Sequence, residues 1–196
     1  MRFLSCLFVL FFASLCLAAN PEKLRSFGKE SPVKLYLFTS LGCSHCATFH
    51  KQILPELKKM YVDSGKAQLI IVDMLRGRNS LTATQAVRCL DGINSERLED
   101  DLYAHQSNWM DKSAPDADKV IFSYASKQGM SQKSFDECIT NKELQKTIIE
   151  QQVNMARLYD IKATPILVIR DGSEVSKWTG SDKKVIMDGL KEAFQK

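Results

Sequence analysis

The stretch VKLYLFTSLGCSHCATFH, Val33 to His50, decides how this chain is read. Val33, Leu35 and Leu37 alternate with Lys34, Tyr36 and Phe38, a period of two with two largely apolar faces, which predicts a β-strand through Thr39. Cys43-Ser44-His45-Cys46 follows and opens a segment rich in Ala, Leu, Lys and Glu that predicts a helix from Cys43 to about Val62, kinked or divided at Pro55. A cysteine at the junction of strand and helix faces unpaired backbone N–H groups and the positive end of the helix dipole. Both favour a thiolate over a thiol. In such positions C-x-x-C motifs lower the first thiol from ~8.5 to between ~3.5 and ~7.5. His45 can supply a second donor, and Cys46, one turn further in, is the more buried partner.

Two other chemistries use paired cysteines. A structural zinc site needs four ligands, and the chain has no second C-x-x-C and no H-x₃₋₅-H pair at zinc-finger spacing. Haem attachment needs histidine directly after the second cysteine, where Ala47 stands. A redox pair is the reading the residues favour, with a metal site or a purely structural disulfide as alternatives. His50, four residues past Cys46, shares its helix face and could tune it or simply be solvated. His105 and Trp109 have the same spacing and read as packing residues.

The compartment matters to a redox pair. Arg2 precedes an apolar run from Phe3 to Ala19, shorter than the ~20 residues of a spanning helix and followed by Asn20-Pro21-Glu22-Lys23. This reads as a signal peptide over residues 1–19, cleaved near Ala18 or Ala19, rather than a membrane anchor. Cleavage takes away Arg2, Cys6 and Cys16 from a chain whose formal net charge is +4. The remaining charge is a mild excess without a basic block, so no nucleic-acid partner is indicated. Cys43, Cys46, Cys89 and Cys138 remain, and an even count in an exported chain favours disulfide chemistry.

Ala67 to Val72 (AQLIIV) predicts a second apolar strand, parallel to the first across the helical crossover. From Asn79 to Tyr159 the pattern is helical. Helices are predicted from Asn79 or Ser80 to Leu90, from Ser95 to Trp109, from Asp116 to Gly129 and from Ser131 to Ile139. Thr140 and Glu143 have capping-box spacing for a last long helix, with Leu144, Ile148, Met155 and Leu158 on one face. Strands return at Ile166–Ile169 and Glu174–Trp178 around Asp171-Gly172, a hairpin signal, and Ser181 or Asp182 caps a helix to Phe194. The order β-α-β, helical block, β-β-α is that of an α/β thioredoxin fold with an inserted helical domain. The thioredoxin domain is read over 20–73 and 160–196, and the insertion over 74–159.

Thr164-Pro165 sits where the third predicted strand begins, a position at which proline is tolerated. Here the sequence resembles the DsbA family of exported thiol-disulfide oxidoreductases, including its DsbA-like branch in intracellular Alphaproteobacteria. The resemblance spans the mature chain and rests on FGKESPVKLYLFTSLGCSHC, ATFHKQILPELKKMY, GMSQKSFDECI and ATPILVIRDG. It implies a periplasmic dithiol oxidase without a cofactor or metal. Cys43 is then the nucleophile, Cys46 its partner, His45 the retained motif histidine, and Thr164-Pro165 the cis-proline segment beside them. Reduced or unfolded exported proteins are the implied substrates, with a DsbB-like membrane protein as reoxidant and a monomeric state.

Ser44 replaces the family's commoner proline. Leu37 stands where many relatives hold a buried carboxylate that helps move protons to the second cysteine. Threonine before the proline also occurs in family isomerases, so an isomerase or reductase stays open, as does a metal-binding or chaperone-like module on the same fold. Cys89 and Cys138 fall in the helical block. They are either two buried free thiols or the non-catalytic disulfide that some DsbA-like proteins carry there.

Overall fold

The computed structural model describes residues 24–195. The signal-peptide reading lies outside the described residues. Its central sheet has five strands in the order β1-β3-β2-β4-β5: β1 Ser26–Phe27, β2 Val33–Thr39, β3 Gln68–Asp73, β4 Ile166–Asp171 and β5 Glu174–Thr179. β2 and β3 run parallel, from Lys34 opposite Gln68 to Thr39 opposite Asp73; the other pairings are antiparallel. β1 carries no pattern because it is two residues long. It pairs with β3 at the sheet edge, where Ile71 N–H also bonds the Arg25 carbonyl.

Both faces of β2 are covered, as its two apolar sets require. Leu35 and Leu37 pack with Phe49, Ile53, Leu57, Ile186 and Leu190 on one side. Phe38 packs with Val72, Tyr159 and Ile161 on the other. The first side is formed by α1 (Ser44–Gln52), α2 (Leu54–Leu57) and α8 (Lys183–Ala193). Pro55 sits in the first turn of α2, so the predicted helix is divided at Ile53, and a π-helical turn over Lys58–Val62 completes it. α8 is capped by Asp182, whose side chain accepts from Val185 N–H. It lies so close to the sheet that a Cβ on Gly189 would come within 2.2 Å of the Trp178 indole nitrogen.

Between β3 and β4 run α3 (Arg78–Arg88), α4 (Gly92–Ala104), α5 (Ala114–Lys127), α6 (Gln132–Thr140) and α7 (Lys142–Leu158). Several predicted ends move. α3 begins after Gly77. Asn79 and Ser80, the two residues at which its start is predicted, both fall inside it, and Asn79 donates its amide to the carbonyls of Met110 and Lys112. α4 starts at Gly92 rather than Ser95 and stops at Ala104; Trp109 follows a 3₁₀ turn, Gln106–Asn108, and is fully buried. Thr140 does not cap α7. It ends α6, its hydroxyl donating to the Asp136 carbonyl, and Asn141 accepts from Leu144 N–H as the cap. Leu158 is 63% exposed, away from the face that buries Leu144 and Ile148, because α7 ends there and the chain turns through Asp160 at φ 48°. In the hairpin Asp171 pairs with Glu174, so Gly172 and Ser173 form the turn and β4 is longer than its apolar core.

Under the block lies a buried ionic cluster. Arg88 Nε donates to Asp73 Oδ2 at 2.8 Å, and Arg25 Nη2 lies 2.7 Å from Glu99 Oε1 and 3.5 Å from Asp73 Oδ1. It joins four elements: the segment before β1, the end of β3, α3 and α4. Burial would raise the Asp73 carboxyl, but the Arg88 and Arg25 guanidinium groups outweigh it and hold the carboxyl below the usual carboxylate range. A carboxylate depressed in this way stabilises the fold above its unfolded value of ~3.9, and that contribution is lost as pH falls through the folded value.

The α3 terminus is tied a second way. Cys89 and Cys138 are disulfide-bonded, and Gln85 donates its amide to the Cys138 carbonyl at 3.1 Å. Cys138 is buried, whereas Cys89 is exposed, unlike the pair of buried thiols.

Asp73→Ala leaves two buried guanidinium groups short of a partner and is expected to cost ~3–5 kcal/mol, read as a lower urea midpoint. The Cys89→Ala, Cys138→Ala double variant opens a loop of 49 residues and is expected to lose about 4 kcal/mol. Equilibrium unfolding with reductant absent measures it, and an unchanged midpoint contradicts the expectation.

Candidate functional site

Cys43 is extended (φ −120°, ψ 120°) as the N-cap of α1, so its sulfur lies at the open end of the helix. The loop that carries it is held from both directions. Cys43 N–H donates to the Ser40 carbonyl at 3.0 Å. The Gln106 amide, from the turn after α4, donates to the carbonyls of Leu41 and Cys43. Gln106 had no signal in the sequence, since an isolated glutamine in a polar turn resembles any surface residue.

The antiparallel register of β2 and β4 pairs Phe38 with Ile166, which brings the start of β4 beside the motif. The Thr164–Pro165 peptide bond is cis, and the Thr164 carbonyl lies 3.5 Å from Cys43 Sγ. The structure thus gathers Cys43, Cys46, Thr164 and Pro165 at one point. His45 is on the first turn of α1 with its side chain exposed; the part of it that touches the Cys43 sulfur is its backbone N–H.

Both cysteines are free thiols, 4% and 0% exposed, and their surroundings differ. Burial pushes the Cys43 thiol up. The Thr164 side chain, the backbone N–H groups of Cys46 and His45, and the Cys46 thiol outweigh burial and lower it. Burial dominates at Cys46. Despite hydrogen bonds from Thr164, Thr39 and the Ser40 N–H at 3.4 Å, its thiol is pushed up to about 11. One helical turn therefore separates a sulfur inclined to ionise from one inclined to stay protonated. The arrangement can make and break a disulfide in which Cys43 is the more acidic partner.

His50 is half-buried. Its Nε2 lies 2.6 Å from Asp100 Oδ1, and its ring packs on Tyr103 with centroids 4.5 Å apart. His105 is exposed and stacked on Tyr124, and Trp109 is buried in the apolar cluster that also holds Cys43 and Cys46, so both serve packing. Among the described residues no three His, Cys, Asp or Glu side chains converge on a point that could hold a metal, and no helix is long and apolar enough to cross a membrane.

With fold and site in place, comparison with known proteins assigns the class: the chain belongs to the thioredoxin family, whose model matches residues 23–187. A Rickettsia conorii relative named "Putative protein-disulfide oxidoreductase" is 25% identical over 138 residues, which cover 70% of this chain and 49% of the relative. A Bacillus cereus relative, "Probable disulfide bond formation protein D", is 32% identical over 87 residues, 42% of this chain and 40% of its own length. The chain spans about half the length of the curated relatives it matches. Among solved structures, alpha-DsbA1 of Wolbachia pipientis superposes with a TM-score of 0.76 at 22% identity, covering 86% of this chain and 89% of that one. Oxidised BdbD of Bacillus subtilis gives 0.72 at 20% identity, with 88% and 94% covered. The fold is therefore the DsbA-like one, a thioredoxin fold carrying a helical insertion.

The contrast between the sulfurs can be measured. On alkylating the reduced protein across pH, Cys43 is expected to react with a midpoint below that of a free thiol, and Cys46 only as pH approaches about 11. Mass mapping of the labelled peptides assigns each thiol. Coincident titration of both contradicts the geometry.

Proposed function

We propose that the chain is a thiol-disulfide oxidoreductase of the periplasm that introduces disulfides into exported proteins through Cys43 and Cys46. One observation carries this reading: the opposite displacement of the two thiols within one turn, beside the Thr164–Pro165 segment.

In the oxidised enzyme a substrate thiolate attacks Cys43 Sγ, the Cys43–Cys46 bond breaks, and its electron pair goes to Cys46 Sγ, which takes up a proton. A second substrate thiolate then attacks the substrate sulfur of the mixed disulfide. Cys43 leaves as a thiolate that the α1 N-terminus and the Thr164 hydroxyl stabilise, and the substrate departs with a new disulfide. Two electrons pass from two substrate thiols to the enzyme. Pro165, buried beside the pair, and Thr164 form the wall along which the substrate lies. A DsbB-like membrane protein takes the electrons onward, and the chain acts as a monomer on reduced or unfolded exported proteins.

The energetics favour oxidation. Each pK unit by which the Cys43 thiolate is stabilised is worth ~1.4 kcal/mol. For a two-electron couple that raises the potential by about 30 mV. Equilibration with glutathione is expected to place the Cys43–Cys46 couple on the oxidising side of about −200 mV. A value near about −270 mV, that of thioredoxin, overturns the oxidase reading in favour of a reductase.

A further inference from the structure

The start of a helix is commonly held by an oxygen side chain at the N-cap, which bonds the first N–H groups and fixes the extended backbone of that residue. α1 has Cys43 in that place, with no side-chain hydrogen bond at the cap. Its sulfur is the atom whose bonds change in the reaction above, so it cannot also be the tether of the loop. The segment from Ser40 to Cys43 is held by its backbone instead. Cys43 N–H donates to the Ser40 carbonyl at 3.0 Å and Gly42 N–H to the Ser40 hydroxyl at 3.3 Å. Gly42 is seated so closely on the start of α3 that a Cβ there would meet the Cβ atoms of Ser80 and Arg76 at 3.1 and 3.2 Å.

The carbonyls of the same segment are held from outside it. Leu41 and Cys43 both accept from the Gln106 amide, Cys43 at 3.1 Å. A carboxamide nitrogen carries two hydrogens, one for each of these carbonyls. Ala47 N–H also bonds the Cys43 carbonyl at 3.1 Å, whereas the Leu41 carbonyl has no other donor among the described residues. Gln106 is itself braced. Its carbonyl accepts from Met110 N–H at 3.0 Å and from Trp109 N–H at 3.3 Å. The Trp109 ring is fully buried, and its indole N–H donates to the Leu102 carbonyl at 3.1 Å. Asn108, in the same turn, donates to the Tyr124 hydroxyl of α5. One side of the turn is thus anchored in the core of the helical block, and the other grips the backbone of the nucleophile.

We propose that Gln106 is a positioning residue for the nucleophile: its two amide hydrogens keep the Leu41 and Cys43 carbonyls in place, so that the Cys43 sulfur stays at the start of α1 and beside the Thr164 carbonyl in both thiol and disulfide states. This rests on the oxidoreductase reading. Gln106 exchanges neither protons nor electrons. Without the amide the Leu41 carbonyl turns to water, the peptides on either side of Gly42 follow it, and the sulfur spends part of its time away from the helix end. The thiolate then loses a stabilisation that falls off within the first turn.

Two measurements on the full chain test this. In the reduced protein the alkylation rate of Cys43 is followed against pH, with mass mapping of the labelled peptide. Gln106→Leu, which keeps the bulk and removes both hydrogens, is expected to raise the Cys43 midpoint by about half a unit to one unit. The matching loss of thiolate, about three- to tenfold at constant pH, is expected to lower the potential equilibrated against glutathione by about 15–30 mV. Gln85→Leu is the control. Gln85 makes the same kind of clamp elsewhere in the block, its amide donating to the carbonyls of Cys138 and Asn141. Its loss is expected to lower the urea midpoint but to move the Cys43 midpoint less than half as far. An unchanged Cys43 midpoint in Gln106→Leu overturns the proposal. So does a shift at least half as large in Gln85→Leu, which marks a general loosening of the block. Should Gln106→Leu fail to fold, Gln106→Glu keeps the length and replaces the donor by an acceptor. It is expected to shift the midpoint further in the same direction, and no shift overturns the proposal. A wild-type chain that exchanges no disulfide with a reduced cysteine peptide, while Gln106→Leu still raises the Cys43 midpoint, sinks the oxidoreductase reading and supports the clamp.

Discussion

The meeting of Cys43 with Thr164, residues 121 apart in sequence, depends on the register between β2 and β4. β2 runs toward the motif and β4 runs away from Pro165, so antiparallel pairing of Phe38 with Ile166 puts the end of one against the start of the other. A slip of one residue would turn Leu35 and Leu37 from their packing with α1 and α8 toward the opposite face. Burial of those side chains therefore enforces the geometry of the site. The sulfur chemistry needs no special side chain beyond this: a helix terminus, a threonine hydroxyl and unequal burial separate the two thiols.

The helical block is fastened over that arrangement from several directions. Asp73, at the end of β3, binds Arg88 of α3 and approaches Arg25, which in turn binds Glu99 of α4. The residue after Arg88 is Cys89, bonded to Cys138 of α6. Gln106 reaches from the same block to the carbonyls of the motif loop. Leu41, Cys43 and Cys46 belong to the apolar core that contains Trp109, Leu98 and Phe135, so the block supplies much of the burial that raises Cys46. In this arrangement the insertion is part of the site's dielectric environment, and changes in its packing are felt at the sulfurs.

Much of the architecture was legible in local pattern. Alternation marked β2, the apolar runs marked β3 and β4, and Asp171-Gly172 marked the hairpin. Pro55 marked the break after α1, and Ser131 and Asp182 marked two caps. Errors fell where a residue could serve two neighbouring elements. Thr140 closes α6 while Asn141 opens α7, and Asn79 spends its amide on carbonyls more than thirty residues away. Capping chemistry is local, but which of two adjacent polar residues takes the role depends on what the other one meets in the folded chain.

By itself, the sequence determined the order of elements, the position of Cys43 at a strand-to-helix junction, and the placement of Thr164-Pro165 at the head of a strand. These follow from periodicity and backbone chemistry, which act over a few residues. Only the tertiary structure decided that Thr164 would face the cysteines, that Cys89 would bond Cys138, and that Gln106, Thr39 and Tyr103 would surround the motif. It also decided that the two thiols are displaced in opposite directions, Cys43 down and Cys46 up. Those outcomes depend on register, burial and contacts between distant segments, and a sulfur's ionisation is set by the neighbours folding brings to it.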